Sequence, residues 1–140
     1  MSDNSQIVPK ILIISTDACS YPGIDNAGQK HLEYNPNTYV IRVLDPVIFP
    51  AEWYLDVYDM GYDGIFIASC GTDSPYKNSF EKLAKRIDAL VLMMKERGLH
   101  NSRIKLTAIC TVCATHFVKE LNEFIEGVRE NMAGMLVEAK

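Results

Sequence analysis

Short apolar runs alternate along the chain with longer stretches in which apolar residues recur every three or four positions. The short runs are Ile11-Leu12-Ile13-Ile14, Tyr39-Val40-Ile41-Arg42-Val43-Leu44, Gly64-Ile65-Phe66-Ile67-Ala68 and Ile104-Lys105-Leu106-Thr107-Ala108-Ile109. Their length and β-branched content predict four strands. The first and third are almost wholly apolar, as strands covered on both faces of a parallel sheet are. The fourth carries Lys105, which suits an edge.

The longer stretches predict helices. Pro50 fits a first turn, followed by Ala51, Trp53, Leu55, Val57 and Met60, with Gly61 at the end. Asn78 and Glu81 have the spacing of a capping box. After them Phe80, Leu83, Ile87, Leu90, Val91 and Met94 recur at helical spacing until Gly98. Phe117, Leu121, Phe124, Ile125 and Val128 form the last such stripe. Residues 20–38 are less regular: Asp25 to Lys30 suit a short helix, and Pro36 bars a longer one. Met132 to Lys140 reads as a tail beyond the last helix, whose Met135, Leu136 and Val137 return to the core or dock on a partner.

Strand and helix thus alternate. Connections of this length between parallel strands are right-handed crossovers that set helices on both faces of a sheet. The expectation is an α/β fold: an open, doubly wound, mainly parallel four-stranded sheet with strand order 2-1-3-4. No repeat, linker or low-complexity segment divides the chain, and its 140 residues suit a single domain, 1–140.

Composition narrows the function classes. Lys plus Arg is 14 against 18 Asp plus Glu, a balance that argues against nucleic acid as a partner. No apolar stretch is long enough to span a membrane. The start, Met1-Ser2-Asp3-Asn4-Ser5-Gln6, lacks the basic residues of a signal peptide. A cytoplasmic chain is expected, in which four cysteines are not structural disulfides. Charge is uneven: residues 43–76 hold six acids and no Lys or Arg, while residues 77–105 hold eight basic residues and three acids. This describes either two ordinary solvated helix faces or an acidic side that steers a partner.

The cysteines all fall after strands. Cys19 follows the first by a few residues, Cys70 follows the third, and Cys110 closes the fourth, with Cys113 completing a CxxC. In a doubly wound sheet the ends of the parallel strands share one rim, where ligands bind. Four thiolates on one rim suit an iron–sulfur cluster or tetrahedral zinc. Two alternatives stand beside that reading: buried cysteines acting as small hydrophobes, and a thiol redox pair at Cys110 and Cys113 ahead of a helix N-terminus. The stretch Cys70-Gly71-Thr72-Asp73-Ser74-Pro75-Tyr76 is rich in small polar groups that could bond sulfur or an anion. His116 lies near this rim, as a surface side chain or a ligand, and His100 sits in a surface turn. No Walker A or GxGxxG sequence follows the first strand. Trp53 and Tyr54 suit helix packing rather than base stacking.

The stretches Cys19-Ser20-Tyr21-Pro22-Gly23-Ile24-Asp25-Asn26-Ala27-Gly28, Ile41-Arg42-Val43 and Gly61-Tyr62-Asp63-Gly64-Ile65-Phe66-Ile67-Ala68-Ser69-Cys70, with Arg86, Gly98, Arg103 and Phe117, resemble the small iron–sulfur (delta) subunit family of the methyl-viologen-reducing hydrogenases. The resemblance runs over about residues 10 to 130. It implies a flavodoxin-like sheet, a [2Fe–2S] cluster and a non-catalytic role in methanogenesis-type metabolism, relaying electrons to the flavin subunit of heterodisulfide reductase. The implied partners are flavin- or iron–sulfur-containing subunits of a heterodisulfide reductase-like, hydrogenase-like or formate dehydrogenase-like complex. Cys19 and Cys70 match family cysteines. Thr16, Asp45-Pro46 and Ser74-Pro75 fall where the family has further cysteines, whereas Cys110 and Cys113 fall where it has small or acidic residues. The expected ligand set is therefore a rearranged one: Cys19, Cys70, Cys110 and Cys113, around a [2Fe–2S] cluster or zinc. The alternatives are a clusterless interaction or assembly subunit with the same fold, and a thiol–disulfide protein using the CxxC pair.

Overall fold

The computed structural model describes residues 9–16, 38–69, 78–108 and 114–138. Four strands form one sheet: β1 (Ile11–Thr16), β2 (Thr38–Val43), β3 (Gly64–Ser69) and β4 (Ile104–Ala108). Their order is β2-β1-β3-β4 and every pairing is parallel. Ile13 lies between Val40 on one side and Phe66 on the other, and Ile67 lies beside Leu106. The α/β, flavodoxin-like arrangement expected from the alternating pattern is the one observed. β1 and β3 occupy the centre and are buried along their whole length. β4 takes the edge that Lys105 suggested.

Three helices are described: α1 (Ala51–Asp59), α2 (Ser79–Glu96) and α3 (Ala114–Glu138). Alternation along the central strands divides the core in two. Ile11, Ile13, Phe66 and Ala68 face α3 and meet Phe117, Leu121, Phe124, Ile125 and Val128. Leu12, Ile14, Ile65 and Ile67 face the other way. They meet Tyr54, Leu55, Val57 and Tyr58 of α1, and Leu83, Leu90 and Met94 of α2. The helices therefore cover both faces.

Several local expectations change. Pro50 is the cap residue before α1 rather than part of its first turn. Gly61 ends that helix region as expected, at φ +105°, a conformation a side chain would strain. The capping box at α2 does not form: Asn78 adopts a left-handed conformation at φ 57° and makes no side-chain cap bond. Asn tolerates that conformation, which turns the chain sharply into the helix. The segment from Met132 onward is not a tail after the helix but the end of α3, which continues to Glu138. Met132 packs on the α3-side core. The expected helix over Asp25–Lys30 lies outside the described residues. Among those described, no helix is long and apolar enough to cross a membrane.

Candidate functional site at the C-terminal rim

Among the described residues, buried polar side chains gather at the end of the sheet where the strands finish. Ser15 and Thr16 end β1, Ser69 ends β3, Asp45 lies just past β2, and Ser79 opens α2. Arg103, ahead of β4, is the buried polar side chain at the opposite end. A polar group away from water requires a partner, and these have them. Thr16 Oγ1 donates to the Ala68 carbonyl at 3.1 Å, and Ser69 Oγ to the Thr107 carbonyl at 3.3 Å. The ends of β1, β3 and β4 are thereby stitched side by side.

A strap closes one side of this rim. Residues 44–50 link β2 to α1 through a 3₁₀ turn at Pro46–Ile48 that touches β1 and α2. Asp45 Oδ1 accepts from the Val47 N–H at 2.9 Å, and its Oδ2 from Ser79 Oγ at 2.7 Å. Arg86 reaches up from α2 and donates to the Phe49 carbonyl at 2.9 Å and to the Val47 carbonyl. Tyr54 Oη donates to the Pro46 carbonyl at 3.3 Å. Burial pushes the Tyr54 hydroxyl well above the ordinary phenol pKa, so it stays a donor. Trp53 stacks on Phe49 with ring centroids 3.9 Å apart, which is the packing role expected of it.

In this topology α2 and α3 run against the strands and start at the same rim. The positive ends of their dipoles favour negative charge there. The four cysteines, Cys19, Cys70, Cys110 and Cys113, lie outside the described residues, and so does His31. In the sequence Cys70 directly follows Ser69, Cys110 is two residues past Ala108, Cys113 directly precedes Ala114, and Cys19 is three residues past Thr16. Among the described residues no three His, Asp or Glu side chains gather as metal ligands.

The sequence pattern did not disclose the strap. Its one signal was Asp45-Pro46, an Asx residue ahead of a turn. Three of the six acids between residues 43 and 76 have partners within the fold. Asp45 is buried, Asp63 Oδ2 accepts from the Lys10 N–H at 2.8 Å, and Asp59 pairs with Arg97 at 3.3 Å. Lys105 pairs with Glu120 at 2.8 Å, and that bond holds the Glu120 carboxyl below its usual pKa. Glu52 and Asp56 stay exposed on α1. Asp73 lies outside the described residues. His100 is exposed, and its Nδ1 accepts from the Ser102 N–H at 3.0 Å. His116 is exposed in the first turn of α3.

In parallel α/β sheets ligands bind beyond the carboxyl ends of the strands, which makes this rim the candidate site. The sequence pattern of the methyl-viologen-reducing hydrogenase delta subunit family matches residues 11–131, and the chain belongs to that family. It is 27% identical over 122 residues to the vhc iron-sulfur subunit of the F420-non-reducing hydrogenase of Methanococcus voltae, covering 86% of this chain and 85% of that protein. It is 29% identical over 123 residues to one subunit of the ferredoxin/F420H2-dependent CoB-CoM heterodisulfide reductase of Methanosarcina acetivorans. The corresponding subunit of the ferredoxin:CoB-CoM heterodisulfide reductase of Methanosarcina mazei is 28% identical over the same length. Those matches cover 87% of this chain but only 16% of each reductase subunit, so the chain spans about a sixth of these two long relatives.

Proposed function

We propose that this chain is a small electron-transfer subunit of a redox complex, holding an iron–sulfur cluster through Cys19, Cys70, Cys110 and Cys113. The observation that carries the reading is the rim itself. The strands that lead to all four cysteines end side by side, at the end of the sheet where polar side chains are buried. Family membership and the iron–sulfur name of the Methanococcus voltae relative support it. The complex would contain a long heterodisulfide reductase subunit like those of the two Methanosarcina relatives. Related sequence occurs both as a protein of similar length and as part of such a long chain.

A cluster of the [2Fe–2S] kind supplies one-electron chemistry when bound. The chain's own part is to hold it. The cysteine thiolates would be its ligands, and the positive ends of α2 and α3 favour the resulting negative charge. The Thr16–Ala68 and Ser69–Thr107 bonds fix the strand ends from which the ligand segments leave. Four thiolates would also accept zinc.

One observation favours a second reading, a clusterless subunit with the same fold. Thr16 and Asp45, where the resemblance places cysteines, serve here as cross-links to Ala68 and Ser79. The two readings separate in protein purified without oxygen and assayed for iron, sulfide and zinc, with an electron paramagnetic resonance spectrum. Replacing Cys19 or Cys70 by serine in the complex is expected to abolish visible absorbance and electron flow while the complex still assembles. An unchanged spectrum and unchanged turnover would establish the scaffold reading instead. A loss confined to Cys110 and Cys113 variants of a metal-free protein would point to thiol chemistry.

A further inference from the structure

The strap between β2 and α1 carries two large aliphatic side chains in water. Leu44 is 67% exposed and Ile48 62%. One tight turn separates them, closed by the Ile48 N–H donating to the Asp45 carbonyl at 3.2 Å. The strap cannot readily swing these groups inward. It is fastened from beneath by Asp45 to Ser79, by Arg86 to two of its carbonyls and by Tyr54 to a third. Two large apolar groups held in water one tight turn apart, beside the candidate rim, offer an apolar contact surface. The next two turns of chain add charge: Glu52 and Asp56 are exposed one helical turn apart on α1, and no Lys or Arg occurs between residues 43 and 76.

We propose that this corner is a docking surface for the long heterodisulfide reductase subunit, with Leu44 and Ile48 at its centre and Glu52 and Asp56 on its border. The partner would present an apolar patch bordered by Lys and Arg. Two observations argue for that occupant. The exposed charge on α1 beside the strap is acidic, at Glu52 and Asp56, so a basic border complements it. In the two Methanosarcina relatives the matching segment is 16% of a longer chain, so there the remainder of the reductase subunit is tethered beside this module. The proposal rests on the partner named in the preceding reading and adds the surface through which it is met.

The test measures binding of the full chain to the full-length reductase subunit of the same organism, without oxygen, by titration at two salt concentrations. The double variant Leu44→Asp/Ile48→Asp is expected to weaken binding at least tenfold. Glu52→Lys/Asp56→Lys is expected to slow association and to flatten its salt dependence. Leu92→Asp is the control: Leu92 is as exposed as Leu44 but lies on the outer face of α2. It should bind like the unmodified chain. Fluorescence of Trp53, the only tryptophan, reports that the corner is still folded in each variant. Full-strength binding by the Leu44/Ile48 variant, or equal weakening by Leu92→Asp, would overturn the surface and leave the partner standing. Failure of the unmodified chain to bind would overturn the partner and this proposal with it.

Discussion

Gly64 opens β3 beside Ile11 and under the ring of Phe124. A Cβ there would lie 2.9 Å from Ile11 Cδ1 and 3.0 Å from Phe124 Cζ, both in a closed core. The glycine thus sets how closely α3 approaches the sheet. Gly64→Ala is expected to destabilise the protein by ~1–3 kcal/mol through overpacking, read as a lower urea midpoint. Phe124→Leu in the same chain should recover part of that loss. A second residue-scale effect depends on pH. Tyr58 Oη donates to the Arg103 carbonyl at 2.8 Å, and Tyr54 is wholly buried. Burial raises both hydroxyl pKa values well above 10.0, their ordinary value. The unfolded chain therefore loses these protons first as pH rises. Their contribution to stability is complete below pH 10 and falls as pH climbs toward the folded pKa, by about 1.4 kcal/mol per pH unit for each group. Denaturant unfolding across pH 8 to 11 should show that decline. In Tyr58→Phe it should be shallower by one group's share, and an unchanged slope would show that Tyr58 ionises freely in the folded protein.

At the scale of elements, α3 shows what the sequence disclosed and what it concealed. The stripe from Phe117 to Val128 is regular, and those side chains form the core as expected. The stripe continues through Met132, but Gly127 and Gly134 weaken the helical pattern, since each costs about 1 kcal/mol relative to Ala in a helix interior. A local reading ends the helix there. What holds the later turns is a contact distant in sequence. The buried Arg103 donates from Nε to Asn131 Oδ1 at 2.9 Å and from Nη2 to Met135 Sδ at 3.1 Å. Arg103→Met is expected to release those turns, with faster amide exchange confined to residues beyond Val128 and a stability loss of roughly 1–3 kcal/mol. Gly134→Ala, where a Cβ meets nothing within 4 Å, should restore protection to the same turns. The strap was concealed for the same reason. Asp45 and Ser79 are far apart in the chain, and their bond follows from the sheet order rather than from any local pattern. The strands and their order were legible because burial on two faces leaves a direct mark on composition, as in Ile11–Ile14 and Ile65–Ile67.

For the whole molecule, the proposed site would join segments that leave from neighbouring strands. The segments holding Cys19, Cys70 and the Cys110/Cys113 pair leave from three different strands, β1, β3 and β4. Those strands are tied through the sheet and through side-chain bonds at their ends, but a group bound by all four thiolates would add a cross-link beyond the fold itself. Any group that binds the folded state in preference to the unfolded one stabilises it by mass action. On the proposed reading, loaded protein is expected to unfold at a clearly higher temperature than protein stripped of its metal by a chelator. The same comparison locates the ligands. Cys19→Ser should bring the melting temperature of the loaded preparation down to the stripped value while leaving the stripped value unchanged, because that residue would act through the bound group. Cys70→Ser and Cys113→Ser should behave alike, since a shared group fails when any one thiolate is lost. Equal melting temperatures before and after chelation, together with serine variants that match the parent, would mean that the four cysteines share no ligand. A drop in the stripped protein as well as the loaded one would mark the altered cysteine as a packing residue of the rim.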